Sequence, residues 1–136
     1  MDRLTRAERS SLMSRVRSKD SKAELIVRSM VHRMGFRYRL HSRVLPGSPD
    51  LVFASRRKVI FVHGCFWHAH TCRAGLNRPA SNREYWDAKL ERNRKRDRST
   101  SAKLRRDGWA VLSIWECQTR REGQLARRLC SFLENR

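Results

Sequence analysis

LPGSPDLVFASRRKVIFVH, residues 45–63, is the stretch that decides how this chain folds. Two short apolar runs, LVFA (51–54) and KVIFVH (58–63), are separated by Ser55, Arg56 and Arg57, a pattern that reads as a buried hairpin. The preceding LPGSPD breaks the chain, because each proline restricts its own φ and the residue before it.

Working outward, Phe36, Tyr38 and Leu40 alternate with Arg37 and Arg39, which predicts a strand with one wet face. Thr5 to Glu8, Ser21 to Glu24 and Ser81 to Glu84 each match the S/T-x-x-E capping box. Helices are therefore expected near 5–17, 21–34 and 81–106. The second carries Ile26, Val27, Met30, Val31 and Met34 at helical spacing and stops at Gly35, and the third stops at Gly108. WAVLSIW (109–115) reads as a later buried strand, and Gln124, Leu125, Leu129, Phe132 and Leu133 suggest a closing helix. The expected order is helix, helix, three strands, long helix, strand, helix, an α/β chain.

At 136 residues the chain fits a single domain able to bury most of its apolar surface without disulfides. Lys and Arg number 32 against 13 Asp and Glu, a formal charge of +19 spread along the sequence. Such a field attracts polyanions, and nucleic acid is the leading partner. Four Trp, five Phe and a patterned core argue against a disordered basic arm. The N-terminus has no apolar signal region and no apolar run approaches a membrane span, so an intracellular protein is expected. In a reducing compartment four cysteines are better explained as metal ligands or buried thiols than as disulfides.

The chemistry is concentrated in HGCFWHAHTC, residues 63–72. Cys65, His70 and Cys72 with the distal Cys117 form a thiolate and imidazole set suited to tetrahedral Zn²⁺, the alternative being that Cys117 is a buried thiol and His70 a surface imidazole. Cys130 reads as core. A second set starts at Asp50, just after the turn, and continues with His63 and His68. On the long helix Trp86, Leu90, Asn93, Asp97, Ser101 and Leu104 fall on one face, so Asn93 and Asp97 sit on the stripe that should meet the sheet. Polar groups there need partners or a function. Carboxylates, imidazoles and a basic surface together suit Mg²⁺-assisted phosphodiester hydrolysis, with Glu24 either an outer carboxylate or only the acid of its capping box. Phe66 and Trp67 could wedge into stacked bases or pack on the metal loop, and Trp86 could be core.

LPGSPDLVF, VIFVHGCFWHAHTC, EYW with Asn93 and RDR, and GWAVLSIWEC together resemble the very short patch repair endonucleases, from about Met13 to Cys117. The resemblance implies a restriction-endonuclease-like core, a mixed sheet flanked by helices, in one domain over 1–136, with 1–19 a DNA-contacting helix or arm and 20–136 the nuclease core. It implies a Mg²⁺-dependent enzyme of the bacterial cytoplasm, acting as a monomer, that nicks duplex DNA 5′ to the thymine of a T:G mismatch. A mismatch-repair matchmaker protein is an implied partner. Position by position, Asp50 matches the metal-binding aspartate, with Val62 offering its backbone carbonyl to the same Mg²⁺, and His68 matches the base that activates water. His63, Glu24, Asn93 and Asp97 match residues that hold metal-bound waters. Cys65, His70, Cys72 and Cys117 match structural zinc ligands, Phe66, Trp67 and Trp86 an intercalating trio, and Met13 lies in the minor-groove helix. Two departures are Val62, where a family member carries Thr, and Ala69 with Thr71, which interrupt a richer histidine run between the zinc ligands. The alternatives are a restriction-type enzyme on matched duplex and a zinc-stabilised DNA-binding module without catalysis.

Overall fold

The computed structural model describes residues 21–65, 72 and 81–134. The helix expected near 5–17, with Met13, lies outside them. So do Phe66, Trp67, His68 and His70.

The hairpin forms as read. Strand β2 (Leu51–Phe53) pairs antiparallel with β3 (Lys58–His63), Leu51 opposite Ile60, across a 3-10 turn at Ala54–Arg56 that closes on a left-handed Arg57. Strand β1 (Arg39–Leu40) pairs antiparallel with β2, and β4 (Ala110–Trp115) pairs parallel with β3 over all six residues. The sheet is mixed, in the order β1-β2-β3-β4. Helix α1 (Lys22–Arg33) precedes it, α2 (Arg83–Arg106) lies between β3 and β4 in the chain, and α3 (Glu122–Glu134) closes the order after a 3-10 segment at Glu116–Arg120.

Both faces of this sheet are covered. Leu51 and Phe53 of β2, Ile60 of β3 and Ile114 of β4 pack with Val27, Met30 and Val31 of α1 and Leu125, Leu129 and Leu133 of α3. Val52, Val59 and Phe61 point the other way and meet Leu104 of α2. A layer of helix on each face explains why the strands are continuous apolar runs and not alternating ones. Lys58, the polar start of β3, is buried because its Nζ donates to the carbonyls of Phe132 and Leu133, while Arg56 donates to Leu133 at 2.9 Å. These cations satisfy the last carbonyls of α3, where the helix dipole favours positive charge.

The helix ends show where local signals held. Ser21 caps α1, its hydroxyl accepting from the Glu24 N–H at 3.2 Å. Gly35 (φ +92) and Gly108 (φ +90) end α1 and α2 in the left-handed conformation, with the next N–H reaching back to Val31 and Leu104. The Ser81 box does not form: α2 begins one turn position later, at a left-handed Asn82 with no side-chain cap bond. The strand expected over 36–40 contracts to two residues. Phe36 and Tyr38 do pack against the core, Tyr38 edge-on to Phe53, but without ladder partners. Alternation reported their burial, not pairing.

Candidate active site

Strand directions bring the chemistry to one end of the sheet. With β1 and β2 antiparallel, β2 and β3 antiparallel, and β3 and β4 parallel, the end of β1, the start of β2 and the ends of β3 and β4 are neighbours. His41, Asp50, His63, Cys65 and Cys117 all follow or precede those ends by at most two residues.

Asp50 is fixed by both backbone and side chain. Its carbonyl accepts from the His41 N–H at 3.0 Å, which extends the β1–β2 ladder. Its Oδ2 accepts from the Val62 N–H at 2.7 Å, so the carboxylate takes the place of a ladder carbonyl and caps the hairpin. Burial pushes its carboxyl up from 3.8 to about 7; the Val62 N–H opposes the rise and the neighbouring Glu24 carboxylate adds to it. Glu24, only 2% exposed, receives Arg28 at 3.1 Å and His41 at 2.8 Å. Its carboxylate is therefore committed to the sheet end, and only the Ser21 half of the capping box is drawn. Ligand atoms of Glu24, His41 and Asp50 lie within 4.8 Å of one another. Oxygens around Mg²⁺ at about 2.1 Å stand roughly 3 Å apart when adjacent and 4.2 Å when opposite, so the two carboxylates suit a hard divalent cation, while the His41 Nε2 stays on Glu24.

Beside this pair opens a cleft of about 370 Å³, lined by Gly47, Ser48, Asp50, Phe61, Val62 and His63 from the sheet side and Arg96, Asp97, Thr100 and Ser101 from α2. His63 is buried, stacked on Phe61 at 5.7 Å and tilted against Trp115 at 4.9 Å. The loop reaches α2 because residue 47 is glycine: a Cβ there would meet Thr100 Cγ2 at 2.3 Å, and its φ is +74. Asn93 is buried on the expected stripe and accepts from Arg96, without lining the cleft. Trp86 is half-buried, edge-on to Tyr85 at 5.3 Å with Lys89 over its ring, so it is not core.

The thiols form a separate cluster. Sγ atoms of Cys65, Cys72 and Cys117 lie within 4.8 Å of one another, and the Cys117 N–H donates to Cys65 Sγ at 3.3 Å. The register explains it: His63 pairs with Trp115, so Cys65 and Cys117 each stand two residues past paired ends. Burial pushes the Cys65 thiol up to about 12, with the Cys117 N–H opposing and the other two thiols adding. Three convergent sulfurs are a donor set that suits a soft cation. Tetrahedral Zn–S bonds of about 2.3 Å put sulfurs roughly 3.8 Å apart, within the observed span. Cys130 stands apart from it, half-buried on α3.

Sequence reasoning missed His41. It belongs to no motif, and its approach to Glu24 spans 17 residues. The only signal was its place at the end of the alternating segment. Among the described helices none is long and apolar enough to cross a membrane.

Comparison with known proteins assigns a family. The profile of the family described as DNA mismatch endonuclease Vsr matches residues 1–74. A type II nicking enzyme of Xanthomonas oryzae pv. oryzae, V.XorIIP, is 49% identical over 98% of this chain and 97% of its own length. Another, V.NmeAIP of Neisseria meningitidis, is 36% identical over 94% of this chain and 91% of its own. The DNA mismatch endonuclease Vsr of Escherichia coli is 39% identical over 85% of this chain and 73% of its own. With more than half the chain inside the family profile and relatives this similar along most of their length, the chain belongs to the Vsr family of DNA mismatch endonucleases.

Proposed function

We propose that this endonuclease nicks one strand of duplex DNA 5′ to the thymine of a T:G mismatch, by Mg²⁺-dependent phosphodiester hydrolysis, and so opens the strand for very short patch repair. The observation that carries the reading is Asp50, pinned by the Val62 N–H beside Glu24 at the edge of a cleft that also receives His63 and Asp97. Asp50, with the Val62 carbonyl, would hold the divalent cation, which when bound would supply polarisation of the scissile phosphate and acidification of a water. Glu24, His63, Asn93 and Asp97 orient the surrounding waters, and His68 accepts the proton of the attacking one. Arg96 on the cleft wall faces the phosphate backbone.

In this reading the core is the restriction-endonuclease type, and Cys65, Cys72 and Cys117 with His70 hold a structural Zn²⁺. That centre ties the loop bearing Phe66, Trp67 and His68 to the end of β4. Phe66, Trp67 and Trp86 insert beside the mismatch, where a mispaired step costs less to distort. Residues 1–19, with Met13, form an arm on the minor groove, leaving 20–136 as the nuclease core. The +19 charge supplies sequence-independent, salt-sensitive binding. A single nick needs one active site, which suits a monomer in the bacterial cytoplasm, with a matchmaker protein as recruiter.

The test uses end-labelled duplexes, T:G mismatched and matched, with Mg²⁺ or EDTA. The expected result is one nick, in the thymine strand of the mismatched duplex only and only with Mg²⁺. Double-strand cutting of matched DNA would replace this reading with a restriction-type one, and retention without cutting with a binding module.

A further inference from the structure

We infer that His41 is a positioning residue for this reaction: it holds the Glu24 carboxylate beside Asp50, so that the two acids present a preformed seat for a divalent cation. The inference rests on the reading of Asp50 as the cation's anchor.

His41 touches both acidic residues. Its main-chain N–H donates to the Asp50 carbonyl at 3.0 Å, and its Nε2 lies 2.8 Å from Glu24 Oε2. Arg28 reaches the same oxygen at 3.1 Å from one helical turn along α1. Two groups on Oε2 fix the carboxylate's rotation beside Asp50. Without them, two neighbouring carboxylates in a buried place would turn apart, because like charges there repel and neither is well hydrated. The side chain of Glu24 is only 3% exposed, so it has little room to find a replacement donor in water.

The backbone of His41 supports the same role. Its φ is +48, in the left-handed region that most side chains avoid and that Asn, Asp and His tolerate better. That turn is what directs the chain out of β1 while the ring folds back over Glu24. Partners of this outer kind orient metal ligands, and their loss typically weakens metal affinity or activity about 10- to 100-fold.

His41→Asn and His41→Gln separate side-chain reach from backbone conformation. Asn suits the left-handed turn but is too short to reach Glu24, whereas Gln carries an amide donor further out. Mn²⁺, whose free form is read by electron paramagnetic resonance, is titrated into DNA-free wild-type protein, both variants and Asp50→Ala, and nicking kinetics are measured beside it. We expect His41→Asn to bind Mn²⁺ about 10- to 100-fold more weakly and to lose kcat by a similar factor. Its KM for duplex should stay within about twofold of wild type, since no DNA contact is removed. His41→Gln should recover most of both. His41→Asn binding Mn²⁺ as wild type would overturn the inference. Equal weakness of Asn and Gln would make the imidazole itself the ligand, and would overturn positioning as well. A different failure, wild-type Mn²⁺ binding that survives in Asp50→Ala, would remove the cation reading on which the inference rests.

Discussion

Two triads of potential ligands stand near one end of the same sheet, and they differ in everything except size. Glu24, His41 and Asp50 span no more than 4.8 Å, as do Cys65, Cys72 and Cys117. The first is two carboxylates held by donors from α1, β3 and the His41 ring, with Asp50 lining an open cleft. The second is three sulfurs tied to one another, with the Cys117 N–H on Cys65. Hard donors beside a cleft leave coordination positions for water and substrate, whereas a soft donor set with a fourth protein ligand leaves none. The first triad is suited to chemistry and the second to architecture.

The largest expected effect lies in the architectural triad. Structural zinc sites carry apparent binding energies of about 10–16 kcal/mol, comparable with or above the whole stability of a small domain. Cys65→Ser should therefore abolish cooperative thermal unfolding of the purified protein; a variant that melts as wild type would make the cluster dispensable. Next is the chemical triad. Asp50→Ala should lower the nicking rate on the order of 10³-fold while duplex retention stays intact, as expected when a cation anchor is lost without a binding surface. Normal cutting by this variant would place the anchor elsewhere.

A smaller effect appears in the stability of protein that keeps its zinc but is free of Mg²⁺. Because Asp50 is raised from 3.8 to about 7, the native state keeps a proton that the unfolded chain gives up between those values. Its contribution is complete below about pH 4 and lost as pH rises through about 7. Without added Mg²⁺, the advantage of Asp50→Asn over wild type should grow by on the order of 2 kcal/mol between about pH 5.5 and pH 8, since Asn still accepts from Val62 but carries no charge beside Glu24. Denaturant melts at the two pH values check this, and an advantage that does not grow would contradict it. Smallest is Gly47→Ala. The new Cβ must displace Thr100 and sits at a positive φ, so a loss of about 1–2 kcal/mol is expected, with slower nicking because the cleft wall shifts.

The sequence legible before the structure was mostly what short-range physics controls. The hairpin, the stripe of Leu90, Asn93, Asp97 and Leu104, and the glycine stops at 35 and 108 all came from spacing and conformational limits that act within a few residues. Asp50 alone reads as an ordinary turn residue, and it stood out because the next strand ends in His63 with His68 five residues on. Where competing local choices existed, spacing could not arbitrate: Asn82 took the cap from Ser81, and Glu24 spent its carboxylate on His41 and Arg28 rather than on its own helix start. His41 could not be read at all, because its role depends on a left-handed turn and on α1 lying beside β1 and β2. The return of Cys117 to Cys65 was legible only as far as one could suppose β3 and β4 parallel, since an antiparallel pairing would have set them at opposite ends.

The division of labour between the triads is tested most directly by metal exchange. Purified protein is dialysed briefly against EDTA, its metal content measured, and nicking assayed before and after adding back Mg²⁺ or Zn²⁺ alone. The prediction is that about one zinc per chain survives with sulfur ligation, that nicking is lost, and that Mg²⁺ by itself restores it. Loss of zinc in step with activity, and recovery only when Zn²⁺ is returned, would put the catalytic cation at the thiols and contradict the account.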